Sequence, residues 1–233
     1  MLFLKRAGTL SCLILSLNIY GASIWPGNLL ESQKIKIANF TIETESFQSL
    51  FKIKKKLEAA VSLRKKVSTV SLSSNFSKSK EQQIRALIAS KISLTMGDDL
   101  KKYISGYTSV GKSNGWHRYE DASGLKDKSE IMIMSAGLKV SVIEKKTIGT
   151  NYINYNFKKE KKIIFLDSVL KKSFVGLQSI KTKTYIKYQI FNDYKLPYKV
   201  SVTTEHKLIT NENDAPARTL REDYMFKDYK LSK

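Results

Sequence analysis

From Trp116 to the C-terminus the chain runs in short stretches that alternate apolar and polar residues, broken by turn residues, with no helical spacing between them. This pattern constrains the fold most. Parallel neighbours need a crossover of about a dozen residues or more, and the gaps here are only a few residues long. The segment therefore predicts an antiparallel meander. Candidate strands cover 130–134, 138–146, 150–157, 161–166, 171–179, 183–191, 198–209 and 220–231. The breaks fall at Ala136-Gly137, Gly149, 158–160, Asn192-Asp193 and 211–216. Strand 150–157 shows the two faces best: Tyr152, Asn154 and Asn156 lie on one side, Ile153, Tyr155 and Phe157 on the other. Such a sheet has one wet face and one apolar face, and the apolar face must be covered by helices, by the sheet itself or by a ligand.

The preceding residues alternate between the two periods. Ile35, Ile37, Phe40 and Ile42 predict a strand over 34–44, and Val70, Leu72 and Phe76 a strand over 67–76. Between them Phe47, Leu50, Phe51, Leu57 and Val61 fall on one helical face, so 45–66 is expected to be helical. Ser79 and Gln82 form a capping-box pattern ahead of Ile84, Leu87, Ile88 and Ile92. Asp98 is placed to cap a second helix through Leu100, Tyr103, Ile104 and Tyr107. The fold class is thus α+β, mainly β, with a helical block at about 79–107 and three helical stretches available to cover the sheet.

The N-terminus reads as an export signal. Lys5 and Arg6 precede an apolar core through Leu10, Leu13, Ile14, Leu15, Leu17 and Ile19, followed by the small residues Gly21, Ala22 and Ser23. The alternative is an uncleaved anchor. Ser16, Asn18 and Gly21 interrupt the stretch, which falls short of the roughly 20 apolar residues of a membrane span. Residues 1–23 are accordingly expected to be a signal peptide and 24–233 one β-rich domain. The expected location is the periplasm or cell envelope, or outside the cell. The one cysteine, Cys12, lies within the apolar core, so a mature chain would hold no disulfide, thiol nucleophile or thiolate metal site.

The net charge is +20, and lysine carries most of it. Only residues 6, 64, 85, 118, 218 and 221 are arginine, the side chain favoured for bidentate phosphate and base contacts. A lysine-rich surface is a solvated face, or a face for anionic headgroups and polymers. Nucleic acid is not an expected partner. No catalytic motif is present. His117 lies near Glu120 and Asp121 in a turn-like segment, and His206 follows Glu205 in a strand, so that these two face opposite ways. The two histidines lack zinc-ligand spacing, and Gly97-Asp98-Asp99 lacks calcium-loop spacing. Catalytic residues, metal ligands and cofactors are expected to be none, with a hydrolase built on the His117 region as the outlying alternative.

Three features together resemble the LolA/LolB-like lipoprotein carriers and their lipid-binding relatives. An amphipathic segment leads into a strand ending in Phe76. A strand ending at Phe191 passes through Asn192-Asp193 into Leu196-Pro197 and the next strand. The last strand has the form Phe226-Lys227-Asp228-Tyr229. The resemblance implies a strongly curved antiparallel sheet, a half-barrel, with helices across its concave mouth and acyl chains held inside. It also implies an arginine early in the sheet that helps control opening, for which Arg118, beside Trp116, is the matching position. The helical block at 79–107 departs from the family's order. Expected ligand-binding residues are Trp116, Arg118, Phe157, Phe165 and Phe174. The expected ligand is a lipid, acyl chain or lipoprotein anchor, and an anionic membrane surface is a second expected partner. The alternative is an envelope interaction protein that binds proteins or anionic polymers through its basic surface.

Overall fold

The structure, a computed structural model, describes residues 29–46, 57–64, 67–73, 76–96, 107–121, 129–134, 139–146, 149–161, 163–209 and 217–233. The signal segment, the Asp98 cap and the 211–216 loop lie outside them. Strand β1 (Ile37–Thr44) buries Ala38, Phe40, Ile42 and Thr44, and β2 (Leu57–Arg64) buries Leu57, Ala59, Val61 and Leu63. The two pair in unbroken antiparallel register from Ile37↔Arg64 to Thr44↔Leu57. The helix expected over 45–66 is therefore corrected over 57–64. Leu57 and Val61, four apart, fit both periods, whereas Ala59 and Leu63 complete only the two-residue one.

Next come β3 (Val67–Leu72), a short N-terminal helix α1 (Leu29–Ser32) that precedes β1, and helix α2 (Lys78–Met96). The remaining strands are β4 (Tyr107–Ser113), β5 (Trp116–Asp121), β6 (Ser129–Met134), β7 (Lys139–Lys146), β8 (Gly149–Glu160), β9 (Ile163–Val175), β10 (Gln178–Phe191), β11 (Tyr194–Leu208) and β12 (Arg218–Ser232). All twelve form one antiparallel sheet in the order β3-β2-β1-β12-β11-β10-β9-β8-β7-β6-β5-β4. The expected mainly β, antiparallel class holds. β12 closes the meander onto β1, so the first and last described strands lie side by side, third and fourth in the order.

Several expected boundaries move: the break expected at 158–160 falls inside β8, and the strand expected over 67–76 ends at Leu72. Segments 161–166 and 171–179 are not two strands: 163–175 is continuous, and the break falls at Gly176-Leu177, where Gly176 takes φ 54. Asn114-Gly115, with φ 48 and 80, joins β4 to β5 by the same two-residue geometry as Asn192-Asp193, with φ 47 and 68. Tyr107, expected on a helix, opens β4.

Helix α2 covers part of the apolar face. Ile84, Ile88, Ile92 and Met96 recur every four residues and are at most 2% exposed. The Glu81 amide donates to the Ser77 carbonyl, so the helix starts before Ser79, which sits in its first turn and not at its cap. On the solvent side Arg85 bonds Glu81 at 2.5 Å. The helix packs against β3, β11 and α1. Gln33, just after α1, donates to the Lys195 carbonyl (2.9 Å) and accepts from the Lys195 amide (2.7 Å), which ties that turn to β11.

The Phe226-Lys227-Asp228-Tyr229 motif has a structural explanation. The β1–β12 register slips between Asn39 and Thr41, and Asp228 sits in the left-handed region at φ 54. This bulge brings Phe226 and Tyr229, three apart, onto the same side. Both are buried and both pack on Phe40, with ring centroids 5.8 and 5.2 Å away. Asp228→Val is expected to cost about 1–2 kcal/mol, because a β-branched residue fits the left-handed region poorly. Asp228→Gly should leave stability unchanged or slightly raised. Urea titration of both variants checks this, and equal midpoints would show that the bulge does not depend on that conformation.

Candidate ligand-binding surfaces

The two faces of the sheet differ sharply in chemistry. The inner face carries Tyr119, Ile131, Val142, Tyr155, Val169 and Val200, from β5 to β11, all buried in one cluster with the α2 isoleucines. The outer face carries polar ladders. Ser141 donates to Asn154 (2.6 Å) and Asn156 to Ser168 (3.2 Å), and Lys158 pairs with Asp167 (2.7 Å), whereas the Asn151–Glu144 bond (3.0 Å) lies on the inner side, near the β7–β8 turn. Polar groups that reach the interior are satisfied: the Tyr229 hydroxyl donates to the Pro197 carbonyl (2.6 Å) and the Tyr188 hydroxyl to the Leu166 carbonyl (2.8 Å). No buried side-chain polar atom among the described residues lacks a partner.

One charged group sits where α2 meets the sheet. Lys91 Nζ lies 3.9 Å from Glu222 of β12 and 5.1 Å from the centre of the Tyr224 ring, and the Tyr224 hydroxyl donates to Glu222 at 3.3 Å. Burial pulls the Lys91 ammonium below its ordinary value, and the Glu222 charge opposes that only in part. Helix periodicity did not single out Lys91, because a lysine between apolar positions reads as solvated.

Buried phenols set the alkaline limit of the fold. Burial pushes Tyr188, Tyr224 and Tyr229 well above the ordinary phenol value of 10.0; the carboxylates of Asp167 and Glu222 add to it for Tyr188 and Tyr224, and Tyr188 and Tyr229 resist ionising together. A folded-state value above the unfolded one gives stability that is complete below about pH 10 and lost as pH rises, by up to about 1.4 kcal/mol per phenol per unit. Lys91 runs the opposite way, since its desolvation cost is relieved as pH approaches 10.5. Three phenols outweigh one ammonium. The protein is expected to unfold cooperatively above about pH 10, with tyrosinate absorbance and loss of β-type dichroism changing together. A broad phenol titration centred on the ordinary value with the fold intact would contradict this.

The five expected ligand residues do not come together. Phe157 is buried on the inner face, opposite Leu166. Phe165 is buried outside the main cluster. Its ring lies 4.8 Å from that of Tyr188, and Lys195, which also pairs with Glu160, stands 4.1 Å over it. Phe174 is exposed on the outer side, edge-on to Tyr152 at 6.0 Å. Arg118 is exposed and paired with Glu120 at 2.7 Å, and Trp116, two residues earlier, shares its side of β5. Tyr119 alone marks that strand's inner side among the core residues. Alternation puts Glu120 on the opposite side of β5 from His117, so this His and Glu do not form an acid–base pair. His206 is exposed, as expected, and pairs across the sheet with Ile180 and Arg218. No cluster of three potential metal ligands occurs among the described residues.

A second surface lies at one end of the sheet. The β9–β10 turn exposes Phe174, Val175 and Leu177, and Leu208 and Ile209 leave β11 beside it, the Ile209 amide donating to the Leu177 carbonyl at 2.7 Å. Gly149, at the start of β8, fits against this turn because a Cβ there would lie 2.0 Å from the Phe174 carbonyl oxygen. An open cleft of about 220 Å³ adjoins it, lined by Gln178, Ser179, Ile180, His206, Lys207, Leu208 and Arg218. Sequence reasoning misses this end, because alternation reads 171–179 as one unbroken strand and gives no sign of the turn at Gly176-Leu177.

No protein-family model, curated protein or solved structure matches the chain.

Proposed function

We propose that this is a non-enzymatic envelope protein that holds an apolar ligand, an acyl chain, lipid or lipoprotein anchor, against the inner face of its sheet. The observation that supports it most is the one-sidedness of the sheet. A single apolar face runs from β1 across to β5 while the outer face is polar and laddered. Helix α2, 19 residues and so about 28 Å long, packs on β3 and β11. The strands from β10 to β4 extend about 30 Å further at ordinary strand spacing. In this proposal the sheet coils into a half-barrel, with bulges in β4, β9, β11 and β12 bending its strands. The ligand enters between the inner face and α2 when the helix moves off the contacts that bury Ile84, Ile88 and Ile92, each buried methylene contributing about 0.8 kcal/mol. This is the arrangement expected of a LolA/LolB-like carrier. Because Arg118 is engaged on the outer side of β5, we assign the contact that holds the mouth closed to Lys91 and Glu222.

Expression of the full chain, followed by native mass spectrometry of protein from the envelope fraction, is expected to show co-purifying lipid. The delipidated protein should take up a fluorescent fatty acid saturably. Val142→Asp on the inner face should abolish uptake, and Asn154→Asp on the outer face should not, with β-type dichroism retained in both. Wild-type protein that carries no lipid and takes up none would refute the proposal whatever the variants do.

A further inference from the structure

We infer that the β9–β10 end of the sheet docks on an anionic phospholipid bilayer, with Leu177 and Ile209 entering the interface and the adjoining cleft receiving a headgroup phosphate. This holds whether or not the interior carries a ligand. Water-exposed large apolar side chains are ordinary when scattered, but here Phe174, Val175, Leu177, Leu208 and Ile209 gather around one turn. Leu177 is 70% exposed and sits at its apex.

The surroundings of this apolar tip select the partner. Residues 171–183 contain Lys171, Lys172, Lys181 and Lys183 and no acidic residue. Lys172 and Lys181 stand directly opposite each other in the β9–β10 register. Glu205 is shared by Lys181 (3.7 Å) and Lys183 (3.9 Å), one carboxylate against two ammoniums, which leaves the end positive. Like charges facing each other across strands are unfavourable unless an anion lies over them. The cleft brings Arg218, Lys207 and His206 together with Ser179 and Gln178. A phosphodiester presents only acceptor oxygens and suits such a set of donors. Apolar side chains at the apex with cations set behind them match the layering of a bilayer, in which acyl chains lie beneath anionic phosphates. A water-soluble polymer would use the cations but would give Leu177 and Ile209 nothing to bury.

Cosedimentation of the full chain with vesicles tests this. Binding is expected to phosphatidylcholine vesicles with roughly one-quarter anionic lipid, weakly or not at all to pure phosphatidylcholine, and to fall at about 0.5 M salt. Leu177→Glu combined with Ile209→Glu should lower the partition coefficient at least about tenfold, and Arg218→Gln by a smaller factor. Leu177→Trp should give a blue-shifted emission, quenched by brominated acyl chains, only with anionic vesicles. The inference is overturned if zwitterionic vesicles bind equally, if the folded double-Glu variant binds like wild type, or if the Leu177→Trp emission is unmoved by anionic vesicles. Complete release by excess inorganic phosphate at constant ionic strength would also overturn it, marking an anion site without insertion. Fatty-acid uptake by the double-Glu variant should equal that of wild type, which separates failure here from failure of the interior site.

Discussion

Phe226→Ala is expected to remove about 3–5 kcal/mol of stability, the usual cost of deleting a buried aromatic ring. Phe226 is 1% exposed, stacks on Phe40 and sits on the strand that joins β1 to β11. Domains hold about 5–15 kcal/mol in total, so the urea midpoint should fall steeply and part of the population should be unfolded without denaturant. Phe174→Ala, a ring of the same size on the outer side, should stay within about 0.5 kcal/mol. Similar midpoints for the two variants would mean that the packing of Phe226 on Phe40 contributes little to holding β12 beside β1.

Glu222→Ala is expected to cost about 3 kcal/mol, because it leaves the Lys91 ammonium desolvated and removes the acceptor of the Tyr224 hydroxyl. Lys91→Met combined with Glu222→Leu should recover most of that loss or exceed wild type, since two apolar side chains of similar size avoid the desolvation of both charges. The sign of the pH dependence separates this from a simple packing defect. As pH rises toward 10.5 the unpaired lysine loses its charge in the folded state, and the Glu222→Ala penalty should shrink. A penalty that is the same at pH 7 and pH 9.5, or a double variant no better than the single one, would mean that the pair contributes nothing specific to holding α2 against β12.

What the sequence showed depends on how many residues carried each signal. Strands β7, β8, β10, β11 and β12 each alternate over several side chains, and Asn192-Asp193 marks a two-residue turn directly. The stripe Ile84, Ile88 and Ile92 likewise identified α2. Where a residue fitted both periods, local pattern could not choose. Leu57 and Val61 are such residues, and the pairing of β2 with β1 and β3 decided for strand. At Gly176-Leu177 the apolar run continues through the turn, so alternation alone suggested one strand where the chain reverses.

The ligand residues were the least readable. Phe157, Phe165 and Phe174 are alike in sequence, yet one lies in the core, one packs on Tyr188 beneath Lys195, and one is exposed. The β8–β9 register shift between Asn156 and Phe157 changes the facing of side chains across it, and no composition or spacing announces such a bulge. The Lys91–Glu222 pair joins residues far apart in the chain, and the cleft at Arg218 is assembled from β10, β11 and β12.

The sequence by itself determined the antiparallel, mainly β class, the identity of most strands and of α2, and the strongly basic surface, because alternation, helical spacing and charge are local properties that survive without knowledge of neighbours. Only the tertiary structure decided that β12 closes onto β1, that α2 meets β3 and β11, and that the apolar turn at Leu177 projects beside a cationic cleft. Those features depend on strand order and register, which are set by the summed burial of many side chains across the sheet and by no single segment of it.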